Sequence, residues 1–373
     1  MTDDTAAALR SRPSHSAPSA STRAPSPFPV AAHALCALWI AMMIVLGTVA
    51  PARYEALLQE DRFIEWWTVM LFATAGFFAL RRAWRHRRAF DALVGVFCVF
   101  VAGEEFSWGQ RLLGITPPDA FLEHNFQQEL TLHNFADVFG QPKWVLVLAL
   151  AGFGMLLPLV ARSASGRRLL DRIGATAARA AAALWFLAAV VLLIWYPLSY
   201  TGEWVEALAG GLFLATLAPR PRRAGAIAAA GAAVALALSA WSGRGTVSAS
   251  ELACAETEAR ALADDLAYGR AATGRLAGAA SVHKRVFTAA QEGYIDAAAL
   301  GQFHAASCPA DASAARRREH AIDPWGTAWW LSLERGADSI ALRVYSFGPN
   351  RRRDGESAVG AGDDVGASIV ITP

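Results

Sequence analysis

Charge is scarce in this 373-residue sequence: only 18% of residues are Asp, Glu, Lys or Arg, against roughly a quarter in soluble domains. The deficit is concentrated in residues 34–242, while 243–373 read as an ordinary soluble domain. A net charge of +2, without a basic face interleaved with aromatics, gives no nucleic-acid partner. No HExxH or GxSxG signature is present, so no established hydrolase chemistry is named by motif. Internal repeats and paired Gly/Pro-broken spans are also missing, which argues against a transporter.

What the sequence has in abundance is apolar surface, with 54% of residues hydrophobic. Candidate spans fall near 31–50, 63–80, 89–108, 143–161, 178–198, 201–218 and 224–242. Each is close to the ~20 residues that a helix needs to cross the hydrocarbon core. The expected fold is therefore an all-α membrane bundle of about seven transmembrane helices over 31–242, followed by a small α+β domain over 243–373. Residues 1–30, rich in Ser, Ala and Pro, read as a disordered cytoplasmic tail rather than a cleaved signal peptide. Arginines crowd three short connections: Arg81, Arg82, Arg85, Arg87 and Arg88; then Arg162, Arg167, Arg168 and Arg172; then Arg220, Arg222 and Arg223. The positive-inside rule puts these in the cytoplasm of a bacterial inner membrane and the C-terminal domain in the periplasm.

Several acids lie inside the spans. Glu65 is one turn into the second, Glu104 and Glu105 close the third, and Glu203 and Glu206 open the sixth. The topology puts all five at one depth near the extracytoplasmic face. A carboxylate in the bilayer costs a few kcal/mol, so it faces the bundle interior and takes a partner. The following loop offers His124-Asn125, Gln127-Gln128-Glu129 and His133-Asn134. With Pro117 and Pro118 as a helix start, Glu129 and His133 are expected on one helical face, as are His124 and Gln128. Glu104, Glu105, His124, Glu129 and His133 are then candidate ligands for a transition metal such as zinc. Glu104, Glu105, Glu129 and His133 are alternatively a general acid–base set. Two other readings stand beside these: a hydrogen-bonded cluster that pins an interfacial helix, and a path for ions or protons.

The run EEFSWGQRLLG, then TPP, then HNFQQELTLHN resembles a pattern of uncharacterised bacterial multi-pass membrane proteins, EExSWGQR…TP…N.QxE..LHN. It covers roughly 60–140. Glu104, Glu105, Gln110, Asn125, Glu129, His133 and Asn134 stand at the matching positions. The resemblance marks a family and implies no activity.

In the C-terminal part, Leu252, Ala255, Ala259, Leu262 and Leu266 recur at helical spacing, predicting a helix over 249–279. A weaker helix is expected near 283–305, and strands over 327–333, 339–347 and 367–372, after a turn at Asp323-Pro324-Trp325-Gly326. The loop between Phe347 and Val365 is rich in oxygen donors of the kind calcium takes: Asn350, Asp354, Glu356, Asp363 and Asp364. A solvated loop is the competing reading. Cys254 and Cys308 are the only cysteines of this part. In an oxidising compartment they either form a disulfide or stay as thiols. Cys36 and Cys98 fall in spans as packing residues.

The stretch DPWGTAWWLSL…IALRVYSFGPNRRRDGES…GDDVG resembles the C-terminal domain of the G-type major pseudopilin of type II secretion. That resemblance covers about 320–370 and implies a pseudopilin-like fold with a structural calcium held by Ser346, Asn350, Asp354, Asp363 and Asp364. Asn350 replaces the usual Asp, arginines follow it, and the preceding helix bears no acid. A borrowed domain fits better than a pseudopilus subunit.

Two functions follow as expectations. One is a scaffold or secretion-associated membrane protein with a calcium-binding periplasmic domain that meets protein partners. The other is an integral-membrane, metal-dependent enzyme acting on a lipid-linked or periplasmic substrate, with membrane lipid as its surroundings.

Overall fold

The computed structural model describes residues 30–371, except 60–61, 114, 116, 126–127, 136–142, 220, 243–248, 269–270, 301–316, 318 and 349–363. The first core is a helical bundle. Its helices are α1 (Val30–Val49), α2 (Phe63–His86), α3 (Ala89–Glu105), α4 (Lys143–Val160), α5 (Ala183–Trp195), α6 (Thr201–Leu217) and α7 (Pro221–Ser242). Four stretches, Val30–Val49, Phe63–His86, Lys143–Val160 and Arg223–Trp241, are long and apolar enough to cross a membrane. The remaining candidates are shorter: α3 and α6 have 17 residues each and α5 has 13. The expected span near 178–198 thus shortens, because residues Ala180–Ala182 form a single 3-10 turn ahead of α5.

Aromatic side chains tie the bundle together. Phe213 of α6 stacks on Phe153 of α4 at 4.8 Å between centroids. Its ring also meets Phe72 of α2, Phe97 of α3 and Phe186 of α5 at 5.7–6.0 Å. Such pairs favour offset and edge-on contacts, which fix helix rotation as well as burial. Where α2 meets α3 the backbones lie close: a Cβ on Gly95 would fall 2.7 Å from Leu80 Cγ, the small-residue contact usual between membrane helices. The arginine-rich end of this hairpin is held by a bidentate pair, Arg82 to buried Asp91 at 2.7 and 2.9 Å, and Thr176 donates to the same carboxylate at 3.0 Å.

The second core joins α8 (Ala249–Ala267) to a four-stranded antiparallel sheet. Its strands are β1 (Ser281–Arg285), β2 (Trp330–Arg335), β3 (Ile340–Ser346) and β4 (Val365–Ile371), paired in that order. The period-2 pattern places Leu331, Leu333, Leu342 and Val344 on one face, in one buried cluster with Ala255, Ala259, Leu262 and Leu266 of α8.

Two helix expectations are corrected here. The helix read over 249–279 ends at Ala267, because the next segment pairs elsewhere: Ala272 bridges Ile295, and Asp296 N donates to Ala271 O at 2.9 Å. A separate short helix follows at Gly274–Gly278. The helix read near 283–305 begins as strand β1, with Val282 opposite Leu333, then turns into short helices Val286–Gln291 and Ala297–Leu300. A five-residue strand carrying His283, Lys284 and Arg285 leaves too little alternation to see in sequence, and such charge is what protects an exposed sheet edge.

The DPWG turn is built on one carboxylate. Asp323 accepts from Trp325 N at 2.9 Å and Thr327 N at 2.7 Å, and from the hydroxyls of Thr327 and Ser346. Gly326 takes φ 82°, a conformation that glycine adopts without steric cost. Cys254 is disulfide-bonded, while Cys36 and Cys98 are free thiols. Cys308 lies outside the described residues, as do residues 1–29 of the expected tail.

Candidate functional site

At one end of the bundle the chain crosses from α3 into the motif segment. Helix α3 ends at Glu105, and Ser107 and Trp108 then take left-handed dihedrals, φ 50° and 51°. Non-glycine residues pay for this conformation in strain, and such strain clusters where the surroundings over-determine the backbone. Here the turn folds the Trp108 ring back over Gly103, where a Cβ would come within 2.8 Å of it. The indole Nε1 donates to Glu104 Oε1 at 2.7 Å.

Glu104 then organises the loop. Its Oε2 accepts from Leu132 N at 2.6 Å and His133 N at 2.8 Å, and meets His133 Nδ1 at 3.2 Å. Gln110 Oε1 accepts from Leu130 N at 2.6 Å, and Ser107 donates to Glu129 Oε2 at 2.7 Å. Asn125 donates to Thr131 O and Thr131 Oγ1 at 2.5 and 3.0 Å, and Asn134 donates to the same hydroxyl at 3.1 Å.

This wiring corrects the expected helix beyond Pro117-Pro118. Among the described residues of this segment a helix forms only over Asp119–His124, and residues 128–135 are bends and turns. Side chains of Asn125, Gln110 and Glu104 capture the backbone groups that a continued helix would have used. Glu129 and His133 therefore do not share a helical face, and neither do His124 and Gln128. His124 is exposed, and the acid it meets is Glu123, at 3.8 Å, rather than one of the candidate ligands. The metal set expected on Glu104, Glu105, His124, Glu129 and His133 is divided: Glu104 holds His133, Glu129 accepts from Ser107, and Glu105 faces a different group.

That group is Glu105, Glu203 and Glu206, each of which brings one carboxylate oxygen within 4.8 Å of the others'. Glu105 and Glu206 are hydrogen-bonded side chain to side chain. The start of α6 is fixed in place for this. Trp204 donates to Tyr54 Oη at 2.9 Å, and Tyr54 donates to Ser199 O at 2.8 Å. Trp39 donates to Trp204 O at 3.0 Å, and Tyr200, just before α6, takes φ 59°. Neighbouring carboxylates in a partly buried place must share protons or hold a cation, and oxygen-rich sets of this kind suit divalent ions.

His133 belongs to the same field. Burial opposes its protonation, but the hydrogen bond to Glu104 and the charges of Glu206, Glu104 and Glu129 outweigh this and hold its pKa above the ordinary value. A histidine raised on folding contributes stability that is complete below its unfolded pKa of about 6.5 and is lost as pH rises through the folded value. In EDTA, the thermal advantage of the wild type over His133→Asn is therefore expected to shrink as pH rises from about 6 to 9. Thermal midpoints at a series of pH values check the sign.

In the sheet domain, Ser346 donates to Asp323 and accepts from Gly348 N at 3.0 Å. Asp364 is buried just ahead of β4. Asn350, Asp354, Glu356 and Asp363 lie outside the described residues. Asp323, which the pattern reading treated only as a turn residue, is the carboxylate that anchors this end of the sheet. Family models, curated proteins and solved structures show no match to this chain.

Proposed function

We propose that this chain is a multi-pass inner-membrane protein of about seven spans, and that it acts as a metal-dependent enzyme on a lipid-linked or periplasmic substrate. The observation that carries this reading is the convergence of Glu105, Glu203 and Glu206 within 4.8 Å, from two helices, beside the Glu104–His133 pair. The arginine-rich connections support a cytoplasmic location for the opposite end of the bundle, which leaves this end facing the periplasm.

The three carboxylates would hold a divalent cation, which when bound would supply Lewis-acid polarisation or an activated water. The chain's own part is orientation and proton transfer. Glu104 fixes the His133 ring through Nδ1 at 3.2 Å, which directs Nε2 to the exchange of a proton with substrate. Trp108 and the Leu132 and His133 amides hold Glu104 in turn, so the base sits on a preorganised support.

Metal content of the purified full-length protein tests this. About one transition-metal ion per chain is expected, lost in Glu105→Gln/Glu206→Gln. A second reading has the bundle as the platform of a calcium-binding, secretion-associated domain resembling the G-type pseudopilin. It draws on the Asp323 turn, which is tied to Ser346 where the acidic 347–365 segment begins. Calcium as the only bound metal, lost on Asp363→Asn/Asp364→Asn, sinks the enzyme and leaves this second reading.

A further inference from the structure

The two motif regions, far apart in sequence, meet. Gln128 takes a left-handed φ of 57° and is buried. Its side-chain amide donates to Leu122 O at 3.3 Å and, across to the sheet domain, to His320 O at 3.0 Å. A second amide reaches the other way: Gln291 of the sheet domain donates to Glu123 O at 2.6 Å. Each domain thus caps a backbone carbonyl of the other, and both contacts fall on the short helix and loop that lead to His133, at Glu123 and Gln128.

Both ends of the Gln128 link are firmly held. On the domain side, the His320 ring lies 5.5 Å from that of Phe287, and Ala321 O accepts from Trp329 N at 2.9 Å. Asp323 then locks the following turn. On the bundle side, Gln128 N donates to Asn125 O at 2.9 Å, and the next residues are those bound by Asn125, Gln110 and Glu104. A shift at Gln128 is therefore passed directly to Glu129 and His133, because no free loop intervenes.

We infer that Gln128 is a positioning residue through which the sheet domain clamps the His133 segment against the carboxylate end of the bundle. The clamp stands on the Gln128–His320 and Glu123–Gln291 contacts alone; its effect on a bound cation rests on the function proposed above.

Hydrogen–deuterium exchange on the full-length protein in lipid nanodiscs tests it, with Gln128→Gly, Gln291→Ala and the double variant. Glycine accepts the left-handed backbone without steric cost and removes the side-chain link, and Gln291→Ala breaks the second link without changing the backbone of this loop. The expected result is exchange about ten-fold faster at the Leu130, Leu132 and His133 amides in Gln128→Gly, and faster still in the double variant. The same change is expected around 320–329, with the helices of the bundle unaffected. Unchanged exchange at 130–133 in the double variant overturns the inference. So does faster exchange across the whole bundle, the signature of general instability. Titration with Mn²⁺ separates the two claims: about ten-fold weaker binding in Gln128→Gly is expected. A wild type that binds no Mn²⁺ removes the cation while the exchange result still decides the clamp.

Discussion

Replacing Glu206 by glutamine is expected to raise the thermal midpoint in EDTA and to abolish the further rise that a divalent cation gives the wild type. The two effects have opposite signs for one physical reason. Three carboxylates with oxygens within 4.8 Å repel one another, and a pair of full charges at such a distance costs about 3 kcal/mol at an effective dielectric near 20. The hydrogen bond between Glu105 and Glu206 relieves part of this, so removing one charge is expected to stabilise the cation-free protein by about 1–2 kcal/mol. The same substitution removes a ligand. A cation at about a hundred times its Kd stabilises the wild type by ~2.7 kcal/mol, and this gain disappears in Glu206→Gln. A variant that is less stable in EDTA, yet still responds to the cation, contradicts this. Gains in stability on neutralising a site at the cost of its function are a general pattern where a site is strained or charged.

Glu104→Ala is expected to cost about 3–5 kcal/mol, more than any other single change in the motif. The side chain is buried and accepts from the Trp108 indole, from two backbone amides and from the His133 ring. Hydrogen bonds to a charged acceptor are worth about 1.5–3 kcal/mol each, and truncation leaves their donors unsatisfied. Glu104→Gln separates charge from shape. Its amide oxygen serves one side, but its NH₂ then faces donors on the other, either the indole or the Leu132 and His133 amides. An intermediate loss of about 1–3 kcal/mol follows. Denaturation of both variants in detergent, read by tryptophan fluorescence, measures the ranking. A Glu104→Ala protein within about 1 kcal/mol of the wild type shows that the loop does not depend on this carboxylate.

Much of the bundle was legible in the sequence because hydropathy reports helices directly. The α2 and α6 starts fall at the expected residues 63 and 201. The sequence reading groups Glu105 with Glu129 and the histidines, and its meeting with Glu203 and Glu206 is not among the expectations. The partition of the site was not legible. Pattern reading treats Glu129 and His133 as helical neighbours, since four residues apart means one face on a helix. Whether the helix continues is decided by Asn125, Gln110 and Glu104, whose side chains take over the backbone groups from 6 to 29 residues away. Such tertiary capture has no local signature, although a dense run of Asn, Gln and His after a double proline is the composition that permits it. Strand β1 escaped for a different reason: its pairing with β2 crosses 45 residues from Arg285 to Trp330, and five residues carry little periodicity. The Gln128–His320 contact, 192 residues apart, lies beyond any pattern reading.

The proposed enzyme depends on a cation bound between Glu105, Glu203 and Glu206. Anomalous scattering from crystals of the full-length protein grown with Mn²⁺ tests it most directly. A peak is expected between those three carboxylates, and it is missing in Glu105→Gln/Glu206→Gln. A peak confined to the segment between Ser346 and Asp364, with none among the three glutamates, contradicts it.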